Sequence, residues 1–161
     1  ALFTEVFGRV WEHSPWIAEA THDAGIGASH DTAESLHAAM VAAMRKGTPE
    51  QQKSLLSAHP DLAGKLAAAG ELTPESTQEQ AGAGLDRLTS DERVRFTALN
   101  EAYKARFGIP FIMAVKGATK AQILAAFDGR LKNTPEQEVA TALAEVEKIA
   151  LFRLKELLPA G

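Results

Sequence analysis

The chain has no cysteine among its 161 residues. That excludes disulfides, thiolate nucleophiles and thiolate metal sites, and it fits a reducing compartment. No apolar run approaches the ~20 residues needed to cross a bilayer, so no membrane association is expected. The start, Ala1-Leu2-Phe3-Thr4-Glu5, lacks the basic region and long apolar core of a secretory signal. The end, Leu158-Pro159-Ala160-Gly161, carries no peroxisomal tripeptide. These absences point to a cytoplasmic location. Positive charge is not in excess either. Lys and Arg total 17 against 21 Asp and Glu, and the net charge of −4 argues against a nucleic-acid partner. There is no P-loop, no dinucleotide fingerprint and no Gly-x-Ser-x-Gly elbow. The histidines at 13, 22, 30, 37 and 59 form no His-x-x-x-His pair, so no metal site is expected.

What is present reads as helix. Alanine is abundant, β-branched residues are sparse, and hairpin signals are missing. Hydrophobic residues make up 45% and charged residues 24%, ordinary values for a globular chain. The length suits one domain spanning 1–161 with a single substantial core. The expected fold class is all-α, a compact bundle of about eight helices. Leu2, Phe3, Val6, Phe7, Val10 and Trp11 fall on one helical stripe. Ser14 is placed to cap the next helix, with Pro15 at its first position. Asp31 and Glu34 have capping-box spacing. Thr48-Pro49 opens a helix that runs to 58. Ser90 opens a long one with Leu99, Tyr103 and Phe107 on one side and Gly108 at its end. Thr119-Lys120 starts another. Thr134-Pro135 starts the last and longest, with Val139, Leu143, Val146, Ile149, Phe152 and Leu157 as its apolar face.

Four stretches could carry chemistry. The first is the seam at Leu56-Ser57-Ala58-His59-Pro60-Asp61. A residue before proline is pushed out of the helical region, while proline itself fits the first turn of a helix. His59 is therefore expected as the N-cap of a helix beginning at Pro60, its ring projecting from a helix end. A neutral histidine there could act as acid or base; the alternative is a histidine that merely caps. The second stretch is Ser76-Thr77-Gln78-Glu79-Gln80. Ser76 and Glu79 have capping-box spacing, but Glu79 and Gln80 could instead face inward and read a urea or imide edge with acceptors and donors. The third is Ile109-Pro110-Phe111-Ile112-Met113-Ala114-Val115, the one non-helical apolar run. Its backbone N–H and C=O groups lack intrahelical partners, and a polar ligand could supply them. Lys116 follows and could hold a substrate carboxylate, or be a solvated surface lysine. The fourth is Glu12-His13-Ser14-Pro15-Trp16.

These motifs, in this order and over nearly the whole chain, resemble the family of 2-oxo-4-hydroxy-4-carboxy-5-ureidoimidazoline (OHCU) decarboxylases. The resemblance is carried by Glu12-His13-Ser14-Pro15-Trp16, His59-Pro60-Asp61-Leu62-Ala63-Gly64, Ser76-x-x-Glu79-Gln80, Asn100-x-x-Tyr103, Phe107-Gly108-x-Pro110-Phe111, Arg130-Leu131-x-Asn133 with Glu138, and Ile149-x-x-x-Arg153-Leu154. It implies a compact all-α fold, commonly a homodimer, with no metal or organic cofactor. The implied reaction removes CO2 from OHCU and yields S-allantoin in urate breakdown. By the same resemblance His59 is the acid–base residue, and Glu79, counted with it as catalytic, binds the ring and ureido group. Pro60, Ser76 and Gln80 contact the substrate, and Phe111, Ile112, Met113, Ala114 and Val115 line the pocket through their backbone. Two positions depart from the pattern: Ile109 stands where an aromatic is common, and Lys116 where some relatives carry arginine. Two other readings stay open from the residues themselves. One is a lyase or hydrolase acting on a related ureido or hydantoin compound; the other is a non-enzymatic helical interaction module.

Overall fold

Five helices begin on a threonine. The hydroxyls of Thr32, Thr48, Thr89, Thr119 and Thr134 each accept the backbone N–H three residues on. The side chain of that third residue (Ser35, Gln51, Glu92, Gln122 or Gln137) answers the threonine's own N–H. Each exchange satisfies two backbone donors that a helix start leaves orphaned. The tetrapeptide Thr-Pro-Glu-Gln occurs at 48–51 and again at 134–137, and it opens a helix both times.

In the computed structural model, which describes residues 2–25, 32–62 and 73–158, the chain is all-α. Eight helices and no strand occur among the described residues. They are α1 (Leu2–Phe7), α2 (Trp16–Asp23), α3 (Ala33–Arg45), α4 (Pro49–Ser57), α5 (Pro74–Gly82), α6 (Ser90–Phe107), α7 (Lys120–Arg130) and α8 (Pro135–Leu157). No helix among them is long and apolar enough to cross a membrane.

Several starts and faces differ from expectation. α1 stops at Phe7, so Val10 and Trp11 reach the core from turns and not from the helix. Ser14 does not cap α2; its hydroxyl donates to the Glu12 carbonyl at 2.9 Å. Thr32 caps α3, one residue past Asp31, which lies outside the described residues. Thr89, not Ser90, caps α6, whose buried face is Phe96, Asn100 and Tyr103. On α8 the buried face includes Glu138, Ala142, Val146, Ile149 and Arg153, so Val139 and Leu157 are exposed. The expected end of α8 at Pro159 lies outside the described residues.

The chain forms two compact units, Ala1–His59 with Val146–Gly161, and Pro60–Glu145. In the first, α2 packs on α1 and on α3. Trp11 is buried and donates its indole N–H to the Met40 sulfur at 3.5 Å. Ile17, Leu36, Met44, Leu55 and Leu56 fill its core. Trp16 lies against Gly47, where a Cβ would come within 2.7 Å of the indole ring. In the second unit, α6 meets α7 and the aromatic rings form a chain. Phe111 stacks on Phe127 at 3.7 Å, and Tyr103 and Phe96 meet these rings edge-on at 5.3 and 6.1 Å. Offset and edge-to-face contacts of this kind add to simple burial. Glu138 is fully buried there and accepts from Tyr103 Oη at 2.6 Å, Arg130 Nε at 2.7 Å and Asn133 Nδ2 at 2.8 Å. A buried carboxylate is tolerable only with such partners. Burial and the Glu138 hydrogen bond raise the Tyr103 phenol above its ordinary pKa, so it stays a donor.

Candidate active site

His59 lies just beyond α4, whose last turn ends at Ser57 with Ala58 as C-cap. The proline does push it out of the helix, as expected. The helix expected from Pro60 is not seen at its start: Pro60 and Asp61 are non-helical, and 63–72 lie outside the described residues. His59 therefore sits at the C-terminal end of α4, where the last carbonyls lack intrahelical partners. Its Nδ1 takes up one of them, Leu55 O, at 2.9 Å. A carbonyl can only accept, so Nδ1 carries the hydrogen. In the neutral ring Nε2 is then a bare lone pair, ready to take a proton.

The ring is neutral because burial lowers its pKa to about 4. Three of the opposing or reinforcing influences come from side chains in the same unit. The Leu55 hydrogen bond and the Glu12 carboxylate raise the pKa, while Arg153 and His13 lower it further. Burial outweighs the helix end, which by itself would favour the cation. Glu12 and Arg153 are both buried and joined, Nη2 to Oε2 at 3.0 Å, and Arg153 Nη1 also donates to Val10 O at 3.2 Å. His13, with φ +46, is the one non-glycine residue with positive φ among the described residues, and its Nε2 lies 3.7 Å from Glu12 Oε1. In the sequence Glu12 and Arg153 stand only within longer motifs. Their signal was there: Arg153 interrupts an apolar helix face, between Ile149, Ala150 and Leu154.

The second unit holds the other expected site residues. α5 starts at Pro74, two residues before Ser76, so the capping-box reading of Ser76 and Glu79 fails. Ser76, Glu79 and Gln80 stand at helical spacings of three and four, hence on one face; the Ser76 side chain lies outside the described residues. Glu79 is half-buried and Gln80 is buried. Gln80 Nε2 donates to the Asp61 carbonyl, directly after Pro60, at 3.4 Å. The Oδ1 atoms of Asp61 and Asn100 are buried with no hydrogen-bond partner among the described residues.

The run after α6 is non-helical, as expected. Gly108, left-handed at φ +70, ends the helix. Phe111, Ile112 and Val115 are buried, and Met113 and Ala114 are half-buried. The run closes in a turn, Ala118 N–H to Val115 O at 2.9 Å, that needs positive φ at Gly117 (+78). Lys116 sits exposed in that turn. Side chains grip the run at two places: Arg130 Nη1 donates to Ile112 O, and Glu145 Oε1 accepts from Ala114 N at 3.1 Å.

Comparison with known proteins adds a family. A family model described as OHCU decarboxylase matches residues 1–155. The chain is 42% identical over 154 residues to a 2-oxo-4-hydroxy-4-carboxy-5-ureidoimidazoline decarboxylase of Haloferax volcanii, covering 96% of this chain and 88% of that protein. It is similar to the crystal structure of an OHCU decarboxylase in the presence of (S)-allantoin, with TM-score 0.72 and 25% identity over 92% of this chain and 94% of that one. It is also similar to the crystal structure of an (S)-allantoin synthase, with TM-score 0.73 and 38% identity. The match covers 96% of this chain but 49% of that one, so this chain spans about half its length.

Proposed function

The chain belongs to the OHCU decarboxylase family, and on that premise we propose that it converts OHCU to (S)-allantoin and CO2 in urate degradation. The observation that carries the chemistry is the neutral His59, with Nδ1–H committed to Leu55 O and Nε2 free of hydrogen.

The reaction asks little covalent work of the protein. The bond from C4 to the carboxylate breaks and CO2 leaves. The electron pair passes into the conjugated C5–N imine, whose nitrogen takes a proton from solvent in place of the one the substrate carboxyl lost on ionising, leaving a neutral ring enol. C5 then gains a proton, and the 4-hydroxyl loses one to become the C4 carbonyl of allantoin. The imine is the electron sink, so the substrate supplies what a cofactor otherwise would. His59 Nε2 takes the 4-hydroxyl proton and returns one to C5. Delivery to a single face gives a single hand of product. Transfer by a placed side chain is worth about 100- to 10,000-fold.

The remaining site residues hold the substrate. Glu79 is the second catalytic residue of this reading, and with Gln80 and Ser76 it orients the ring and ureido group through acceptors and donors. Pro60 adjoins His59 in the chain. The backbone of Phe111, Ile112, Met113, Ala114 and Val115 offers peptide groups to the substrate's N–H and C=O. Lys116 contributes a point charge for the carboxylate, a less directional contact than a bidentate arginine. The reading extends to one domain over 1–161, a homodimer, no metal or organic cofactor, and a cytoplasmic location.

The test generates OHCU in place from urate with the two upstream enzymes and follows the optical activity of the allantoin formed. The expected result is faster formation of one hand than in the enzyme-free control. Racemic allantoin at the control rate would overturn the reading.

A further inference from the structure

Two side chains grip the run 111–115 on either side of Met113. Arg130 Nη1 donates to the Ile112 carbonyl, and Glu145 Oε1 accepts the Ala114 N–H at 3.1 Å. A peptide group is planar and trans, so its C=O and N–H point in opposite directions, and no cis peptide bond occurs among the described residues. The Ile112 carbonyl shares its peptide with the Met113 N–H. Holding that carbonyl toward Arg130 turns the Met113 N–H away from it. The Ala114 N–H shares its peptide with the Met113 carbonyl, and holding it toward Glu145 turns that carbonyl away in the same manner. Neither the N–H nor the C=O of Met113 has a partner among the described residues.

The grip on the Arg130 side is rigid. Its guanidinium lies 4.4 Å over the Phe111 ring and is tied by Nε to the fully buried Glu138 at 2.7 Å. Glu138 is fixed in turn by Tyr103 and Asn133. This invests a buried ion pair and two further hydrogen bonds in the direction of one carbonyl.

We infer that Arg130 and Glu145 are positioning residues that aim the N–H and C=O of Met113 at an amide-like edge of the substrate, its ureido or ring N–C=O group. The inference rests on the reading above that the run 111–115 binds substrate. A donor and an acceptor on one residue match a donor and an acceptor on one ureido group, and fixing both in advance lowers the ordering cost of binding.

Glu145 is the better probe, because truncating Arg130 strips a buried carboxylate of its charge partner and endangers folding. Glu145→Gln keeps an oxygen acceptor for the Ala114 N–H; Glu145→Leu removes it. The expected result is that Glu145→Leu raises KM about tenfold, the worth of one hydrogen bond to a charged group, with kcat nearly unchanged. Glu145→Gln should stay within about threefold of wild type in KM, since its carboxamide accepts the same hydrogen. An unchanged KM in Glu145→Leu, or a Glu145→Gln variant as impaired as Glu145→Leu, overturns the inference. A separate measurement isolates the underlying reading: (S)-allantoin is added to the wild-type protein and the backbone amide resonances are followed. Shifts at 112–115 support substrate binding by the run whatever Glu145 does. Their absence at saturating (S)-allantoin overturns both.

Discussion

His59 shows which of several opposing forces sets a protonation state. The end of α4, the Leu55 carbonyl and the Glu12 carboxylate all favour imidazolium. Burial, with Arg153 and His13 behind it, favours the neutral ring and wins, holding the pKa at about 4 against an ordinary 6.5. The sign of the consequence for stability follows. The folded state refuses a proton that the unfolded chain accepts between those two values. His59 therefore costs nothing above pH 6.5, and destabilises the fold progressively as pH falls toward about 4. For activity the same displacement is useful, because the base stays deprotonated through the mildly acidic range. The ring C–H resonances of His59, followed by NMR against pH, should titrate near 4. A midpoint near 6.5 would show that the ring is not the desolvated base described here.

At the scale of elements, the helix starts were legible and their exact positions were not. Some helix openings carry two adjacent residues able to cap, as Thr89 and Ser90 do, and the choice depends on which third residue can answer. Thr89 takes the cap from Ser90 because Glu92 answers it, whereas the third residue after Ser90 is Arg93, which has no acceptor; at α3 the cap is Thr32, answered by Ser35. The face of α8 was read from its apolar residues alone. That reading was displaced because two of its buried positions, Glu138 and Arg153, are charged. Their partners Tyr103 and Glu12 lie 35 and 141 residues away in sequence, beyond any local pattern. The role of Trp16 was equally hidden, since it depends on Gly47 coming beneath it after α3. A Cβ at Gly47 would stand 2.7 Å from Trp16 Cη2, 3.0 Å from Cζ3 and 3.1 Å from the Met44 carbonyl. Replacing glycine by alanine at a compatible site gains about 0.4–1 kcal/mol from the unfolded state. Overpacking costs about 1–3 kcal/mol, and here the indole and the backbone leave little room to yield. Gly47→Ala should therefore lower Tm in thermal unfolding; an unchanged or raised Tm would mean that Trp16 does not hold this position.

For the whole molecule, the fold class and the reaction were legible because motifs from the first turn to the last helix recur in one order. The family match over residues 1–155 and the helical structure agree with that reading. The functional assignment of individual residues rests on narrower ground, and above all on His59. Nothing else among the described residues combines burial, a fixed tautomer and an available lone pair in this way. The decisive measurement is the optical-activity assay on OHCU generated from urate, run on the wild-type chain and on His59→Asn, with Tm recorded for both. The account predicts that His59→Asn keeps its Tm and loses about 100- to 10,000-fold in the rate of (S)-allantoin formation. A folded His59→Asn variant that still makes (S)-allantoin at close to the wild-type rate would contradict it.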